Sequence, residues 1–197
     1  AVPARKRPKP GERRVQILQA LASMLEQPGG ERITTAALAA RLGVSEAALY
    51  RHFASKAQMF EGLIEFIEQA VFALVNKITT ASPEDGRQKV ARIVAMLLQF
   101  GEKNPGMARV MVGDALVYEN ERLQQRMNLF FDKVEATLRQ TLREMAATSG
   151  SISPTADAQV LASVLTAFAV GRLQRYARSG FKRLPSEYLD AALTRMV

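Results

Sequence analysis

The stretch TTAALAARLGVSEAALYRHF, from Thr34 to Phe53, decides the predicted fold. Its alanine-rich first half favours a compact helix, because small side chains let a second helix approach closely. Gly43 supplies the backbone angles of a sharp turn, and the Ser45 hydroxyl can accept a hydrogen bond from the first turn of a second helix. This pattern predicts a helix-turn-helix, whose second helix places its N-terminal residues against base edges in the DNA major groove.

The charge distribution favours this interpretation over an ordinary helical hairpin in a protein core. The chain of 197 residues has a net charge of +8. Residues 1–56 hold ten Lys and Arg against four Asp and Glu, a net +6, whereas the remaining residues contribute only +2. Residues 1–10, AVPARKRPKP, combine three prolines with four cations and predict a disordered basic arm. One end of the molecule is therefore suited to a polyanion.

Composition excludes several classes of protein. Hydrophobic residues make up 48% and charged residues 23%, without a long apolar run, so we expect a soluble globular protein with no membrane span. The chain has no cysteine, which excludes disulfides and thiolate sites and suits the cytoplasm. The single histidine, His52, has no nearby carboxylate in the sequence to orient it, and no metal-ligand cluster or phosphate-binding glycine loop is present. We predict no enzymatic activity, no catalytic residue, no metal site and no cofactor.

Apolar residues recur at helical spacing along the chain, and no strand or repeat is predicted. Besides the helix-turn-helix, the expected helices are 11–27, 55–80, 82–101, 107–112, 118–147, 155–178 and 185–196. The helix at 118–147 has the pattern of a coiled coil, although packing inside a bundle produces the same pattern. The prediction is an all-α fold, with a basic arm and DNA-binding head in residues 1–56 and a helical body in residues 57–197 for dimerisation and partner binding.

Two of these helices have defined apolar stripes. In the first helix the stripe is Val15, Leu18, Leu21, Ala22 and Leu25. In the helix at 55–80 the stripe is Phe60, Leu63, Ile64, Ile67, Val71, Leu74, Val75 and Ile78. At about 100° per residue, Phe66 lies roughly 100° from the centre of this second stripe, and Phe72 lies on its other flank. Both side chains suit packing against a neighbouring helix.

Side-chain chemistry assigns the expected DNA contacts to the head. Residues that can donate hydrogen bonds to phosphate oxygens, or pair with them, are Thr34, Thr35, Tyr50, Arg51, His52 and Lys56. Residues at the start of the second helix that face the groove are Ser45, Glu46, Ala47 and Ala48. Of these, Glu46 can accept from a cytosine amino group and the alanines can touch thymine methyls. Arg5, Lys6 and Arg7 are expected to enter the minor groove or follow the phosphates.

The last two long helices, within residues 155–196, form the candidate dimer interface. Ala162, Ala169 and Gly171 place small residues among larger apolar ones, which permits close helix approach. Together with their copies, these helices would form a four-helix bundle in a homodimer. A purely intramolecular bundle is the alternative.

The segment ITTAALAARLGVSEAALYRHFASKAQMFEGLIEF, residues 33–66, resembles the DNA-binding head of the TetR family. Three later segments, FGEKNPGMARV, DALVYENERLQQRMNLFF and RSGFKRLP, extend the similarity to the nucleoid occlusion factors, a TetR-like family, along nearly the whole chain. The resemblance implies a homodimer that binds palindromic double-stranded DNA on the nucleoid in the cytoplasm. It also implies that the DNA-bound protein engages the division GTPase FtsZ and prevents a septum over the nucleoid.

In that family the C-terminal tail of FtsZ lies between helices four and five. Carried over to matching positions, the resemblance implies partner contacts at Phe66, Lys103 and Asn104. The chain departs from the family near Gln99, where a small residue is usual, and near Leu74, where a basic residue is usual. The alternative function is a ligand-gated TetR-type transcriptional repressor, with a body cavity lined by Met96, Met107, Met111, Phe130 and Phe131.

Overall fold

The computed structural model describes residues 8–9, 11–27, 32–81, 84–149 and 154–197, without the side chains of residues 81, 146–149 and 154–156. Within these residues the chain forms helices joined by turns and no strand, which confirms the all-α prediction. The helices are α1 (Glu12–Leu25), α2 (Thr35–Leu42), α3 (Glu46–Tyr50), α4 (Lys56–Ala81), α5 (Gly86–Lys103), α6 (Pro105–Met111), α7 (Glu121–Ser149), α8 (Pro154–Arg178) and α9 (Leu189–Met196). None of these helices is long and apolar enough to cross a lipid bilayer.

Helices α1, α2 and α3 form the head, and local hydrogen bonds shape its turn. Its fully buried side chains include Ile17, Leu38, Leu49 and Phe53. Gly43 ends α2 with φ 63°, in the left-handed region that glycine adopts without steric cost. The Ser45 hydroxyl accepts a hydrogen bond from the Ala48 N–H at 3.2 Å. The predicted turn and the predicted cap of the second helix are both confirmed.

Helix α4 connects the head to the body. The spacing of Ser55 and Gln58 predicts a cap at the start of this helix, and the Ser55 hydroxyl does accept from the Gln58 N–H at 3.2 Å. The Gln58 side chain in turn accepts from the Ala54 N–H at 3.0 Å, one residue earlier than in a standard capping box. The helix has 26 residues, which corresponds to about 39 Å. It is therefore long enough to contact DNA-binding elements at one end and body helices at the other.

The body is a bundle in which α7 and α8 pack along each other and α5 packs against both. Helix α4 packs against α5 and α7, and α6 packs on the end of α1. Glycines allow the closest approaches: a Cβ at Gly101 would collide with Leu173 of α8, and a Cβ at Gly106 would collide with the Ala22 carbonyl of α1. The buried stripe of α4 therefore faces the seam between α5 and α7, and α6 holds the head against the body.

Two of the predicted stripe positions are wrong. Val15 is 54% exposed, and the side chains that α1 buries are Ile17, Leu21 and Leu25. Leu74 is 42% exposed, although it lies at the edge of the α4 stripe. Periodicity places a residue on a helix face, but the neighbouring helix decides how much of that face is covered. At Leu74 that cover is incomplete.

Several predicted helix ends also differ from the structure. Helix α5 is capped by Asp85, in a capping box with Gln88, so the start predicted at residue 82 is three residues early. Residues 82 and 83 themselves lie outside the described part of the chain. The same helix continues to Lys103, and α6 begins at Pro105, so the predicted break is confined to Asn104. Helix α9 begins at Leu189 instead of residue 185, because the preceding residues form turns that end at Tyr188 with φ 55°.

Candidate nucleic-acid interface and partner groove

The two capping hydroxyls of the head remain able to donate. Thr34 Oγ1 accepts from the Ala37 N–H at 3.1 Å and caps α2, as Ser45 caps α3. In each case the oxygen is the acceptor, so the hydroxyl hydrogen is still available for a phosphate or a base edge. Both residues are exposed. Their predicted contacts with DNA are compatible with their structural role.

Three predicted contact residues are joined in one chain of hydrogen bonds. The Tyr50 hydroxyl donates to Thr35 Oγ1 at 3.4 Å, and the Thr35 hydroxyl donates to Glu46 Oε2 at 2.8 Å. Thr35 was predicted to donate to a phosphate, but its one hydroxyl hydrogen is already used within the protein. This chain links the first turn of α2 to both ends of α3.

Arg14 serves the head in a way that the sequence analysis missed. Its guanidinium donates to the His52 carbonyl at 3.0 Å and lies 4.2 Å from the centre of the Phe53 ring. A cation at the carbonyl end of a helix complements the helix dipole. Because the partners are 38 residues apart, no local pattern could have assigned this role. Counted by charge alone, Arg14 looks like one more phosphate contact.

A concave surface lies between the start of α1 and α3 and encloses a volume of about 620 Å³. Its polar lining comes from Lys9, Arg13, Arg51 and His52, and its floor includes Ile17 and Leu49. Four side chains that carry or can carry positive charge therefore meet beside α3. Lys9 and Arg13 are additions to the predicted set, and the dense positive charge of the first 14 residues was the signal for them. Arg5, Lys6 and Arg7 lie outside the described residues.

Lys56 has a partner in the body. Its ammonium lies 2.6 Å from Glu119 Oε1, and the two side chains are 19% and 8% exposed. Glu119 belongs to the segment between α6 and α7, so this ion pair joins the start of α4 to a distant part of the chain. The predicted phosphate contact of Lys56 stays a prediction. A phosphate would have to share or displace Glu119.

Phe66 lies on an exposed flank of α4, as its angular position predicted. It is 48% exposed. The opposite flank of the helix is covered by α7, where Glu68 pairs with Arg126 at 2.9 Å and Phe72 packs edge-on against Phe130. The expectation that Phe72 packs against a neighbouring helix is therefore confirmed. Leu74 is exposed on the same helix, which also packs against α5.

The exposed face of α5 carries two cations. Arg92, Gln99 and Lys103 are exposed and are spaced by seven and four residues, which places them along one stripe of the helix. We use the name partner groove for the site between α4 and α5 that the resemblance implies, with this stripe on α5 and Phe66, Leu74 and the exposed Lys77 on α4. Asn104 is partly buried, and its amide donates to the Phe100 carbonyl at 2.8 Å. Of the three predicted partner residues, Phe66 and Lys103 are accessible, and Asn104 serves mainly to end α5.

The five residues suggested for a ligand cavity contribute to the core. Met111 and Phe130 are 3% and 2% exposed. The Phe130 ring packs edge-on against the Phe131 ring, with 5.1 Å between the ring centres. Met96, Met107 and Phe131 pack against the same core from partly buried positions. These contacts fit structural roles for all five side chains.

Two family models match the chain. Residues 17–63 match the family described as bacterial regulatory proteins, tetR family. Residues 85–196 match the SlmA-like family described as tetracyclin repressor-like, C-terminal domain. The first match covers most of α1, all of α2 and α3 and the start of α4, and the second covers α5 to α9. These are families of regulators, and the comparisons with solved structures agree on the fold.

The solved structures include MbdR from Azoarcus sp. CIB, with a TM-score of 0.75, 18% identity and coverage of 92% of this chain and 95% of that one. FadR from Bacillus subtilis in complex with stearoyl-CoA has a TM-score of 0.72 at 17% identity, covering 93% of this chain and 97% of that one. At these identities the likeness shows the fold alone, and it confirms the TetR-like architecture.

Much closer similarity is found among curated sequences. The nucleoid occlusion factor SlmA of Shewanella sediminis is 51% identical over 178 residues, 90% of this chain and 89% of that protein. The nucleoid occlusion factor SlmA of Photobacterium profundum is 50% identical over 179 residues, 90% of each chain. The similarity thus spans head and body together. The chain belongs to the SlmA family of nucleoid occlusion factors.

Proposed function

We propose that this protein binds palindromic chromosomal DNA as a homodimer and, while bound, engages the C-terminal tail of FtsZ, blocking septum assembly over the nucleoid. The single observation that carries the proposal is the presence of two separate surfaces on one chain. The first is a cationic head, and the second is an aromatic and cationic groove on the body. Membership of the SlmA family supports joining the two in one function.

The DNA-binding part rests on the head. Ser45, Ala47 and Ala48 lie at the exposed start of α3, with Thr34 at the start of α2. Lys9, Arg13, Arg51 and His52 surround the adjacent concave surface. Hydroxyl and cationic groups suit phosphates, while the short side chains of α3 let its backbone approach the bases. The proposed DNA contacts are therefore the predicted set without Thr35, whose hydroxyl hydrogen is bonded to Glu46, extended by Lys9 and Arg13.

The homodimer part rests on one face of α8. Val160 and Val164 are 65% and 46% exposed. Ser163 and Ala167 are also exposed, and a Cβ at Gly171 would meet open space. This uncharged strip of small and apolar residues suits a second copy of the same helix. Because α9 has only eight residues, α8 contributes most of the proposed interface, and α9 contributes less than the sequence analysis expected.

The FtsZ part rests on the partner groove. The exposed Phe66 and Lys77 of α4 and the exposed Arg92 and Lys103 of α5 suit a short peptide that carries apolar and acidic side chains. Arg92 already pairs with Glu84 at 3.2 Å, but both partners are partly exposed, and such pairs are weak. Aromatic side chains commonly supply most of the binding energy in such contacts. We expect Phe66 to be the main contact.

The test is fluorescence anisotropy of a labelled FtsZ C-terminal peptide, with and without operator DNA. We expect the peptide to bind the DNA-loaded protein, and Phe66→Ala to weaken this binding by about tenfold or more, as loss of a buried aromatic contact does. Leu129→Ala is the matched control, because Leu129 is a 66% exposed apolar residue on α7, outside the groove. Both variants should keep the DNA affinity of the wild type.

The possible failures of this test are distinguishable. If the wild type binds DNA but ignores the peptide in both conditions, the proposed partner is wrong and the ligand-gated repressor becomes the better interpretation. If Phe66→Ala and Leu129→Ala behave alike, the groove is misplaced.

A further inference from the structure

The hydrogen bonds that join Tyr50, Thr35 and Glu46 in the head suggest how one base of the DNA site is selected. Thr35 is the first residue of α2, Glu46 is the first residue of α3, and Tyr50 is the last residue of α3. Their side chains meet at Thr35 Oγ1, which lies 2.8 Å from Glu46 Oε2 and 3.4 Å from the Tyr50 hydroxyl. Two helices that are joined by a tight turn are thus tied together a second time, on their exposed side.

The carboxylate of Glu46 is favoured by the helix dipole in the free protein but opposed by DNA in the complex. Glu46 is exposed at the N-terminus of the helix that faces DNA, where the phosphate backbone repels negative charge. The repulsion between the carboxylate and the phosphates is offset if the carboxylate accepts a hydrogen bond from a base. In the major groove the amino group of cytosine is the donor that Glu and Asp side chains read. No cation pairs with Glu46 among the described residues.

The direction of these hydrogen bonds leaves one carboxylate oxygen of Glu46 free to accept from a base. Tyr50 donates to Thr35, so the Thr35 hydrogen points to Glu46 Oε2. Within the described part of the chain, Oε1 accepts no hydrogen bond. A Glu side chain on a surface normally samples several rotamers, and a fixed partner removes most of that freedom before DNA arrives. The second oxygen is thereby held at a defined place in front of α3.

We infer that Thr35 is a positioning residue for Glu46, and that Glu46 selects a cytosine at one fixed position in each half-site. The inference rests on the proposed DNA binding and adds a base and a mechanism to it. Thymine at the same position would present its O4 acceptor to the carboxylate, so discrimination combines a lost hydrogen bond with repulsion. Tyr50 acts more weakly, because removing its hydroxyl leaves the bond between Thr35 and Glu46 in place.

The experiment is a selection from a library of randomised palindromes, followed by affinity measurements on the winning site and its single-base variants. The proteins compared are the full-length wild type, Thr35→Val, Thr35→Ser and Glu46→Ala. A good base contact contributes about 1–3 kcal/mol, so we expect the wild type to prefer cytosine over thymine at one position by about tenfold or more. In Thr35→Val and Glu46→Ala this preference should fall to about twofold, with other positions unchanged, while Thr35→Ser keeps it.

Two further readouts separate positioning from other roles. Glu46→Ala should bind the thymine variant more tightly than the wild type does, because it removes the repulsion. Thr35→Val should stay folded with only a small drop in melting temperature, because its two lost hydrogen bonds are exposed and the cap of α2 comes from Thr34. If Thr35→Val weakens all sites equally, Thr35 is a phosphate contact and the inference is overturned while DNA recognition stands. A wild type that selects no sequence overturns the inference together with the proposed function.

Discussion

At the scale of single residues, cations near the predicted DNA surface divide into two kinds. The Arg14 guanidinium donates to the His52 carbonyl and lies over the Phe53 ring, and the Lys56 ammonium forms an ion pair with Glu119. Arg13 and Arg51 instead line the open concave surface of the head. The net charge of the first 56 residues counts all four alike. Only their contacts separate cations that hold the fold from cations that remain for phosphate.

This division predicts that two neighbouring arginines affect different properties: Arg14 affects stability, and Arg13 affects DNA binding. Arg14→Ala should lower the free energy of unfolding by about 1 kcal/mol, because a charged hydrogen bond and a cation–π contact are lost at an exposed site. Arg13→Ala, the control, should leave stability unchanged and lower the slope of log affinity against log salt by about 1. Urea unfolding and DNA titrations at several salt concentrations measure both. Equal stability of the two variants would show that Arg14 does not anchor α3.

A second pair of substitutions tests whether Lys56 exchanges Glu119 for a phosphate. Lys56→Ala should lower the salt slope by about 1 if its ammonium contacts DNA. Glu119→Gln should then raise DNA affinity at low salt, because it frees the ammonium and removes a negative charge. An unchanged slope in Lys56→Ala would mean that the lysine keeps Glu119 as its partner on DNA, and that its role is to join head and body.

At the scale of helices, the junction of α5, α6 and α1 determines how the head meets the body. Arg109 of α6 is 9% exposed, and its guanidinium donates to the Leu25 carbonyl at the end of α1 at 3.0 Å. Gly106 brings the α6 backbone against the Ala22 carbonyl. Both contacts end on main-chain atoms of α1. The end of α1 is therefore held against α6 through its main chain.

The junction predicts that alanine at two buried glycines changes the free energy of unfolding by different amounts. Gly106→Ala should cost about 2 kcal/mol or more, because its Cβ would meet a main-chain carbonyl that cannot rotate away. Gly62→Ala in α4 is the control: its Cβ would meet the flexible end of Leu18 at 3.0 Å, and alanine gains about 1 kcal/mol of helix propensity. Thermal unfolding compares them. Similar melting temperatures would show that α6 can shift without cost.

At the scale of the whole molecule, the exposed surfaces lie on different elements. The proposed DNA surface uses the start of α1 with α2 and α3, the partner groove uses α4 and α5, and the uncharged strip lies on α8. Because α4 runs from Lys56 at the head to the groove, it belongs to two of these surfaces. Such a helix is the natural route by which DNA binding could alter the groove, and the peptide titrations with and without DNA measure that coupling.

The uncharged strip predicts the oligomeric state of a charged variant. Val164→Glu should weaken the homodimer by at least about tenfold, because an unpaired carboxylate would be buried between the two copies of α8. Leu129→Glu on α7 is the control with a similarly exposed apolar residue. Sedimentation velocity over a range of concentrations gives both dissociation constants. A Val164→Glu protein that remains dimeric would place the interface elsewhere.

The sequence by itself determined the features that depend on neighbouring residues. The turn at Gly43, the caps at Ser45 and Ser55 and the exposed flank at Phe66 all follow from hydrogen bonds or helix angles within a few positions. Only the tertiary structure decided the partners of Arg14, Lys56 and Arg109, the exposure of Leu74 and the bond between Thr35 and Glu46. The reason is physical: local geometry is set by the chain's own spacing, whereas these contacts depend on how separate helices pack.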